Sequence, residues 1–327
     1  MSDSDSLALI HAVKNRNSLN VIRNLIRSGI DVNTSNIVGW TALIQAVKFG
    51  GEQGVEIINL LLNSGALVDK SDKDGLTPLM IAVMHVGKHT AEIINILLNA
   101  GADVNKQNLF GDTALVHTVK HGGEHTAMII NMLLNARADV DKQNKAGQTA
   151  IMHVPKYTKE NGAEIMRLLI NAGADVHKQD NYSGWPALMY VIEEGKENVV
   201  EMMRLLVASG ARIPPVHIIR RNTQPEIISY IKGVENWTPL HRAADARDPD
   251  AIIKCLSEGM RPDAVVESSH QDMRTALSIA ESTSYPTAQP VCDDCIALLR
   301  PRLVKGGAPS DSLFGGGGGG GGEQTES

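Results

Sequence analysis

The segment Gly75-Leu-Thr-Pro-Leu79 recurs along this chain with small changes and at a nearly constant spacing. Its other copies are Gly39-Trp-Thr-Ala-Leu43, Gly111-Asp-Thr-Ala-Leu115, Gly147-Gln-Thr-Ala-Ile151 and Gly184-Trp-Pro-Ala-Leu188. Successive first glycines lie 36, 36, 36 and 37 residues apart. Such a fixed period over five units indicates a repeat protein, in which every unit is one supersecondary element.

Each unit carries the signals of two helices joined by a loop. Thr77 followed by Pro78 suits a helix start, because Thr caps the helix and Pro lacks an N–H that the first turn would leave unpaired. We expect a short helix such as 42–48 and a longer one such as 55–63, whose Ile and Leu residues share one face. Gly65 suits the left-handed position after the second helix. Since one unit cannot bury its apolar face alone, neighbouring units must stack.

This pattern resembles the ankyrin-repeat family, whose signature includes Thr-Pro-Leu-His-x-Ala. The full signature occurs once, at 238–243, and the other units carry relaxed versions of it. The resemblance extends from about Leu7 to Leu303 and implies an all-α solenoid of stacked helix–turn–helix units with hairpin loops. It implies protein binding only in general terms, because proteins that share a fold have many unrelated functions.

On this basis the chain is predicted to have three parts: a disordered N-terminus (1–6), the ankyrin-repeat array (7–304) and a disordered Gly-rich tail (305–327). Within the array we expect an N-terminal cap, five extended repeats that end at Gly210, a degenerate repeat (214–233), a standard repeat (237–259) and a C-terminal cap. Arg137 stands where sister repeats have the capping Gly, so a strained left-handed residue is predicted there.

The repeats of this chain are longer than the 33 residues typical of the family. The surplus lies between the two helices of each internal repeat, at 50–54, 86–90, 122–126 and 159–162. Two interpretations stay open. The extension is either a tolerated surface insertion or a second exposed ridge along one edge of the stack.

Composition restricts the classes of partner. The formal charge of −6 disfavours nucleic acid, which requires clustered positive charge. No apolar run reaches the roughly 18 residues that a membrane-spanning helix needs, and the N-terminus lacks the features of a signal peptide. Three cysteines are too few for a disulfide framework. We therefore expect a monomeric protein of the cytoplasm or nucleus, with no membrane insertion, no nucleic acid and no cofactor.

The sequence contains no nucleophile motif, no phosphate-binding Gly loop and no meaningful carboxylate pair, so we predict that it is not an enzyme. Cys292 and Cys295 have metal-ligand spacing, but a zinc site needs four ligands, and structural thiols are the favoured interpretation. Histidines recur four residues apart in adjacent repeats, at 85 and 89 and at 117, 121 and 125. A metal ladder and the duplication of a polar loop both explain them, and duplication is favoured.

The resemblance also implies where a partner binds. In the ankyrin family the partner-facing residues flank the hairpin Gly and follow the first helix. On this chain the candidates are Trp40, Phe49, Met84, His85, Leu109, Phe110, His121, Tyr157, Tyr182 and Trp185. Aromatic residues are only 3% of the chain, yet most of them occupy positions of this kind, which favours interface anchors. For Trp40 and Trp185, packing on the neighbouring hairpin is an equally good explanation.

The leading hypothesis is a non-catalytic scaffold that binds a protein partner along the concave surface of hairpins and first helices. The alternative is an adaptor or regulatory targeting subunit of an enzyme complex, such as a ligase or a phosphatase. An adaptor needs a docking motif outside the repeats, and neither end of the chain shows one. An enzyme would have to place its site between Gly210 and Trp237, a stretch too short for a catalytic domain.

Overall fold

The structure is a computed structural model that describes residues 7–49, 53–121, 123–213 and 225–234, together with Ile252, 266–267 and 273–274. Its helices form antiparallel pairs, one pair to a layer. The N-terminal cap consists of α1 (Ala8–Lys14) and α2 (Leu19–Arg27). Layer 1 consists of α3 (Ala42–Phe49) and α4 (Gly54–Asn63), layer 2 of α5 (Pro78–Met84) and α6 (Thr90–Asn99), and layer 3 of α7 (Ala114–His121) and α8 (Thr126–Asn135). Layer 4 consists of α9 (Ala150–Tyr157) and α10 (Gly162–Asn171), and layer 5 of α11 (Ala187–Glu194) and α12 (Val199–Ala208). The predicted all-α solenoid is confirmed.

Beyond layer 5 the described part of the chain includes one further helix and two short strands. Helix α13 (Pro225–Val234) contacts α12. Pro225 is its first residue, where a missing N–H costs nothing. Strands β1 (Val266–Glu267) and β2 (Met273–Arg274) pair antiparallel. The predicted disordered ends, the standard repeat and the C-terminal cap lie mainly or wholly outside the described residues.

Neighbouring layers stack first helix on first helix. Helices α1, α3, α5, α7, α9 and α11 contact one another in that order, and each also contacts the second helix of its own layer. The first helices pack more closely on one another than the second helices do, so we expect the side that carries them to be the concave side of the stack. Within the described residues, no helix is long and apolar enough to cross a bilayer.

The core explains why neither helix of a layer is stable alone. In α3 every residue from Ala42 to Val47 is buried, whereas α4 buries one face with Ile57, Ile58 and Leu61. Leu62, which was expected on the buried face, is only half-buried. The sequence pattern placed these two helices correctly to within one residue at each end. Burial on both sides of α3 requires a neighbour on each side, so the layers stabilise one another.

The hairpin loops that connect successive layers form a continuous row, which we call the hairpin row. One backbone hydrogen bond joins each tip to the next. The four bonds run from the amide of Lys73 to the carbonyl of Val38 (3.1 Å), from Leu109 to Asp74 (2.9 Å), from Lys145 to Phe110 (3.0 Å) and from Asn181 to Ala146 (2.8 Å). The row therefore fixes the register of side chains from one layer to the next.

Two classes of glycine have positive φ, one in the hairpins and one, as predicted, after the second helices. Gly111, in a hairpin, has φ 81°, and a Cβ there would lie 2.6 Å from the backbone nitrogen of Lys145. Gly101, after α6, has φ 87°, and nothing lies within 4 Å of an added Cβ. Arg137 occupies the position of Gly101 in the next repeat with φ 65°, which confirms the predicted strained residue.

This difference predicts unequal effects of one substitution. Gly101→Ala should cost about 1 kcal/mol of stability, from left-handed strain alone. Gly111→Ala should cost at least about 1 kcal/mol more, because relief of its clash breaks the backbone bond between Lys145 and Phe110. Urea unfolding of the two variants measures the difference. Equal losses would show that the hairpin row does not depend on this close approach.

Candidate partner-binding surface

The ten candidate residues lie in two parallel strips on the concave side of the stack. One strip is the hairpin row and the residues beside it, and the other consists of the C-terminal ends of the first helices, which we call the helix-end strip. The hairpin strip contains Trp40, Leu109, Phe110, Tyr182 and Trp185, and the helix-end strip contains Phe49, Met84, His85, His121 and Tyr157. The layer contacts therefore place residues far apart in sequence along one surface.

The hairpin row carries the most exposed apolar side chains of this surface. Tyr182 is 84% exposed, Phe110 is 67% exposed and Leu109 is also exposed. Ile37, at 85%, and its neighbour Val38 are exposed in layer 1, although they are not among the ten candidates. Their position beside the turn Gly is the signal that places them on the same row.

Trp40 contributes both to the fold and to the surface. Its indole Nε1 donates a hydrogen bond to Oδ2 of Asp72 in the next hairpin at 3.3 Å. Its ring centre lies 6.0 Å from that of Phe49, so the two strips meet in layer 1. The Nζ of Lys48 lies 4.6 Å from the Trp40 ring centre and 5.2 Å from the Phe49 ring centre. Both aromatic rings remain half-exposed, so this cluster is a preformed part of the surface.

Trp185 occupies the equivalent position in layer 5. It is half-buried, and its ring packs edge-to-face on Tyr190 with ring centres 5.8 Å apart. The hydroxyl of Tyr190 donates to Oδ2 of Asp180 at 2.6 Å and accepts from Gln148 at 2.8 Å. Burial, together with the hydrogen bond to Asp180, raises the pKa of Tyr190 to about 12. Both tryptophans thus pack within the repeats and also border the concave surface.

In layer 3 a buried ion pair replaces the aromatic residue. Asp112 stands where layer 1 has Trp40, and its Oδ2 lies 2.7 Å from Nζ of Lys120. Asn144, from the next layer, donates to Oδ1 at 2.8 Å. Burial raises the pKa of Asp112, but the bonds from Lys120 and Asn144 outweigh burial and leave the pKa below its ordinary value. Sequence reasoning missed this pair, for which the only signal was an Asp at the position where layers 1, 2 and 5 have Trp40, Leu76 and Trp185.

Two buried histidines occupy adjacent layers of the stack, layers 3 and 4. His117 and His153 occupy the same position in α7 and α9, and are 6% and 7% exposed. Burial lowers the pKa of each to about 4, so both are neutral at pH 7. Nε2 of His117 lies 3.1 Å from Nδ2 of Asn108, and Nδ1 has no hydrogen-bond partner. His117 therefore belongs to the core, and its ring stacks beneath that of His121 at 6.1 Å.

The histidine pattern does not assemble a metal site. The residues that the structure describes include no group of three or more His, Cys, Asp or Glu able to hold a metal ion. His89 lies 3.3 Å from Glu92 of its own helix, and His117 is buried. Cys255, Cys292 and Cys295 lie outside the described part of the chain.

A cleft of about 430 Å³ adjoins the helix-end strip. It lies between the inter-helix loops of layers 3 and 4, and its lining includes Glu124, Tyr157, Lys159, Glu160 and Ile165. The lengthened loops supply most of these residues. Tyr157 therefore borders both the concave surface and this cleft.

The chain was compared with known families, curated proteins and solved structures. A family model described as ankyrin repeats (3 copies) matches residues 9–108, 85–180, 115–215 and 156–295. No curated protein sequence matches the chain. Among solved structures, the chain is similar to the crystal structure of an ankyrin repeat domain from Acinetobacter baumannii AYE. The two share 24% sequence identity with a TM-score of 0.54, and the match covers 63% of this chain and 99% of that one.

A second similar structure is EF0377, described as an ankyrin repeat protein. Its identity to this chain is 25%, its TM-score is 0.53, and the match covers 62% of this chain and 97% of that one. The family match extends over most of the chain and includes every layer of the stack. This chain belongs to the ankyrin-repeat family.

Proposed function

We propose that this protein is a non-catalytic scaffold that binds a protein partner along its concave surface. Ankyrin repeats are generally protein–protein interaction modules, and the family is generally non-catalytic. The observation that carries the proposal is the row of exposed apolar side chains on the hairpins, with Ile37, Phe110 and Tyr182 as its most exposed members. Because these side chains are exposed, they contribute little to the folding stability of the isolated chain.

The distribution of aromatic side chains supports this proposal. Phe, Tyr and Trp residues dominate the binding energy of protein interfaces, because they bury a large area with few rotatable bonds. In this chain aromatics are 3% of the residues, and Ile, Leu, Val and Met make up most of the described core. Burial of exposed apolar area by a partner gains about 25 cal/mol per Å². The hairpin row is therefore the surface on which a partner can bury exposed apolar area.

The cluster of Trp40, Lys48 and Phe49 supports the same surface by a different argument. Its side chains already contact one another in the free protein. Binding to a preformed cluster avoids much of the cost, about 0.5–1.5 kcal/mol per side chain, of ordering flexible groups at an interface. Under this proposal the array acts as a monomer in the cytoplasm or nucleus and uses one continuous surface.

The test is the triple variant Phe49→Ala, Phe110→Ala and Tyr182→Ala. Affinity purification with mass spectrometry identifies the partner of the unchanged chain, and the purified pair is then measured by calorimetry. We expect the triple variant to bind about 100-fold more weakly, because three interface anchors that cost about 1 kcal/mol each on truncation together cost about 3 kcal/mol. Circular dichroism checks that the variant stays folded.

A matched control changes exposed apolar residues that lie elsewhere. Val21 and Met128 are on second helices and Leu67 follows one, and all three are exposed. The triple variant Val21→Ala, Leu67→Ala and Met128→Ala should bind the partner as the unchanged chain does. Unchanged binding by the first variant, or an equal loss in the control, would show that the partner binds another surface.

A further inference from the structure

A column of lysines runs along the helix-end strip. Lys48, Lys120 and Lys156 occupy the same position near the ends of α3, α7 and α9, with Met84 at this position in layer 2. The residues that follow are Phe49, His85, His121 and Tyr157, none of which is acidic. The chain as a whole has a formal charge of −6, so this column differs in sign from the rest of the molecule.

Aromatic rings contact the ammonium groups of two of these lysines. Nζ of Lys48 lies against both Trp40 and Phe49, at 4.6 and 5.2 Å from the ring centres. Nζ of Lys156 lies 5.6 Å from the ring centre of Tyr157. A cation–π contact orients an ammonium group without neutralising its charge. These ring contacts therefore leave the charge of Lys48 available to an anion, whereas Lys156 shares its charge with Glu194.

The charged residues around these lysines restrict the positive surface to layers 1 to 4. Lys120 is neutralised by Asp112 at 2.7 Å, so Lys48 and Lys156 carry most of the displayed charge. At the layer 1 end, Arg16 adds a guanidinium group whose Nε donates to the carbonyl of Phe49 at 3.2 Å. At the other end, Oε2 of Glu194 lies 3.8 Å from Nζ of Lys156, where both side chains are partly exposed. The acidic residues of layer 5 end the positive surface.

The positive field extends across layers. The pKa of His85 is lowered first by burial, and then by the charges of Lys48 in the layer before and His121 in the layer after. No carboxylate is among the groups that affect it. The charge of Lys48 in layer 1 thus acts on the strip at layer 2, whose own residues are Met84 and His85.

We propose that the helix-end strip binds an extended acidic segment of the partner protein, with carboxylates placed at Lys48 and Lys156. This inference rests on the proposed function and names the chemistry of the partner. Layers of packed helices are about 10 Å apart, so these two lysines are separated by about 30 Å. An extended polyproline-II segment has three residues per turn and rises about 3.1 Å per residue, so an acidic side chain at every third residue lies on one face and meets successive layers.

The experiment uses the full chain and fluorescein-labelled peptides of four Glu-Leu-Ser, Gln-Leu-Ser or Lys-Leu-Ser units, measured by fluorescence anisotropy. We expect the Glu peptide to bind about 10-fold more tightly than the Gln peptide in low salt, and to lose this advantage in high salt because salt screens the attraction. The Lys peptide should bind most weakly. Equal binding of the Glu and Gln peptides, or no binding of the Glu peptide, would overturn the inference.

Charge reversal locates the site. The variant Lys48→Glu with Lys156→Glu should bind the Glu peptide about 10-fold more weakly than the unchanged chain, since one strong charge contact is worth about 1.4 kcal/mol. Lys142→Glu with Lys178→Glu makes the same change in net charge away from the strip and should have no effect. An equal loss in this control, or tighter binding of a single-stranded oligonucleotide of equal charge, would reject an acidic protein segment as the occupant.

The two proposals fail in different ways. If the partner protein is lost on Phe49→Ala, Phe110→Ala and Tyr182→Ala but binds the charge-reversed chain normally, the concave surface is correct and the acidic segment is wrong. If neither variant changes binding of the partner, the concave surface itself is wrong.

Discussion

Leu97→Ala should lower the free energy of unfolding by about 2–5 kcal/mol. Leu97 lies in α6 of layer 2 and is fully buried. Its truncation removes apolar contacts and leaves a cavity that the surrounding helices fill only in part. Because neighbouring layers stabilise one another, the loss should weaken layers 1 and 3 as well. Urea unfolding followed by circular dichroism gives the size of the effect.

Hydrogen exchange shows where this loss is located. Peptides from α3 to α8 should exchange faster in the Leu97→Ala variant, whereas those from α11 and α12 should change little. Leu67→Ala is the control, because Leu67 is exposed and surface substitutions usually change stability by less than about 0.5 kcal/mol. A similar loss from both substitutions would contradict the assignment of Leu97 to a core that joins the layers.

Acidification from pH 7 to pH 4 should destabilise the fold, and His153→Ile should remove a large part of that loss. Burial lowers the pKa of His153 from 6.5 to about 4. Of the nearby charges, Lys120, Lys156 and His117 lower the pKa further and Asp112 raises it. Between these two pKa values the unfolded chain binds a proton that the folded chain does not, so unfolding becomes more favourable as pH falls. The full effect is about 3 kcal/mol for this residue, and it levels off below pH 4.

Ile81 provides a natural template for this test. It occupies the position of His153 in layer 2, where it is buried. His153→Ile should therefore fit the core and flatten the dependence of unfolding free energy on pH, while Ile81→His should make it steeper by adding another buried histidine. Urea unfolding at several values between pH 7 and pH 4.5 compares the three proteins. The same pH slope in all of them would contradict the role of buried histidine.

The repeat, its helices and its left-handed residues could be predicted because they depend on local signals. Gly65 has φ 88° and Arg137 has φ 65° as expected, since each position follows the end of a second helix. Thr77 accepts a hydrogen bond from the amide of Met80, and Pro78 is the first residue of α5. These features need only the residues of one unit. Because the unit recurs every 36 residues, the same prediction applies to each successive layer of the array.

The polar contacts between layers could not be predicted in the same way. The bond from Trp40 to Asp72 and the network of Asp112, Lys120 and Asn144 depend on the register of adjacent layers. His117 was grouped with its exposed neighbours because histidine spacing alone does not distinguish a buried face from a loop. Sequence reasoning selected the residues of the concave surface, but only the stacked layers show which of them are exposed, such as Phe110, and which are half-buried, such as Trp40.

Tips with and without a large exposed apolar side chain alternate along the hairpin row. In order, the tip pairs are Ile37-Val38, Lys73-Asp74, Leu109-Phe110, Lys145-Ala146 and Asn181-Tyr182. Exposed apolar side chains (Ile37, Phe110 and Tyr182) therefore recur at every second layer, a distance of about 20 Å, which equals about six residues of extended chain. The repeating unit of this surface is therefore two layers. Under the proposed function, gain or loss of a single repeat would put the exposed apolar side chains out of step with the partner, whereas gain or loss of two repeats would keep their spacing.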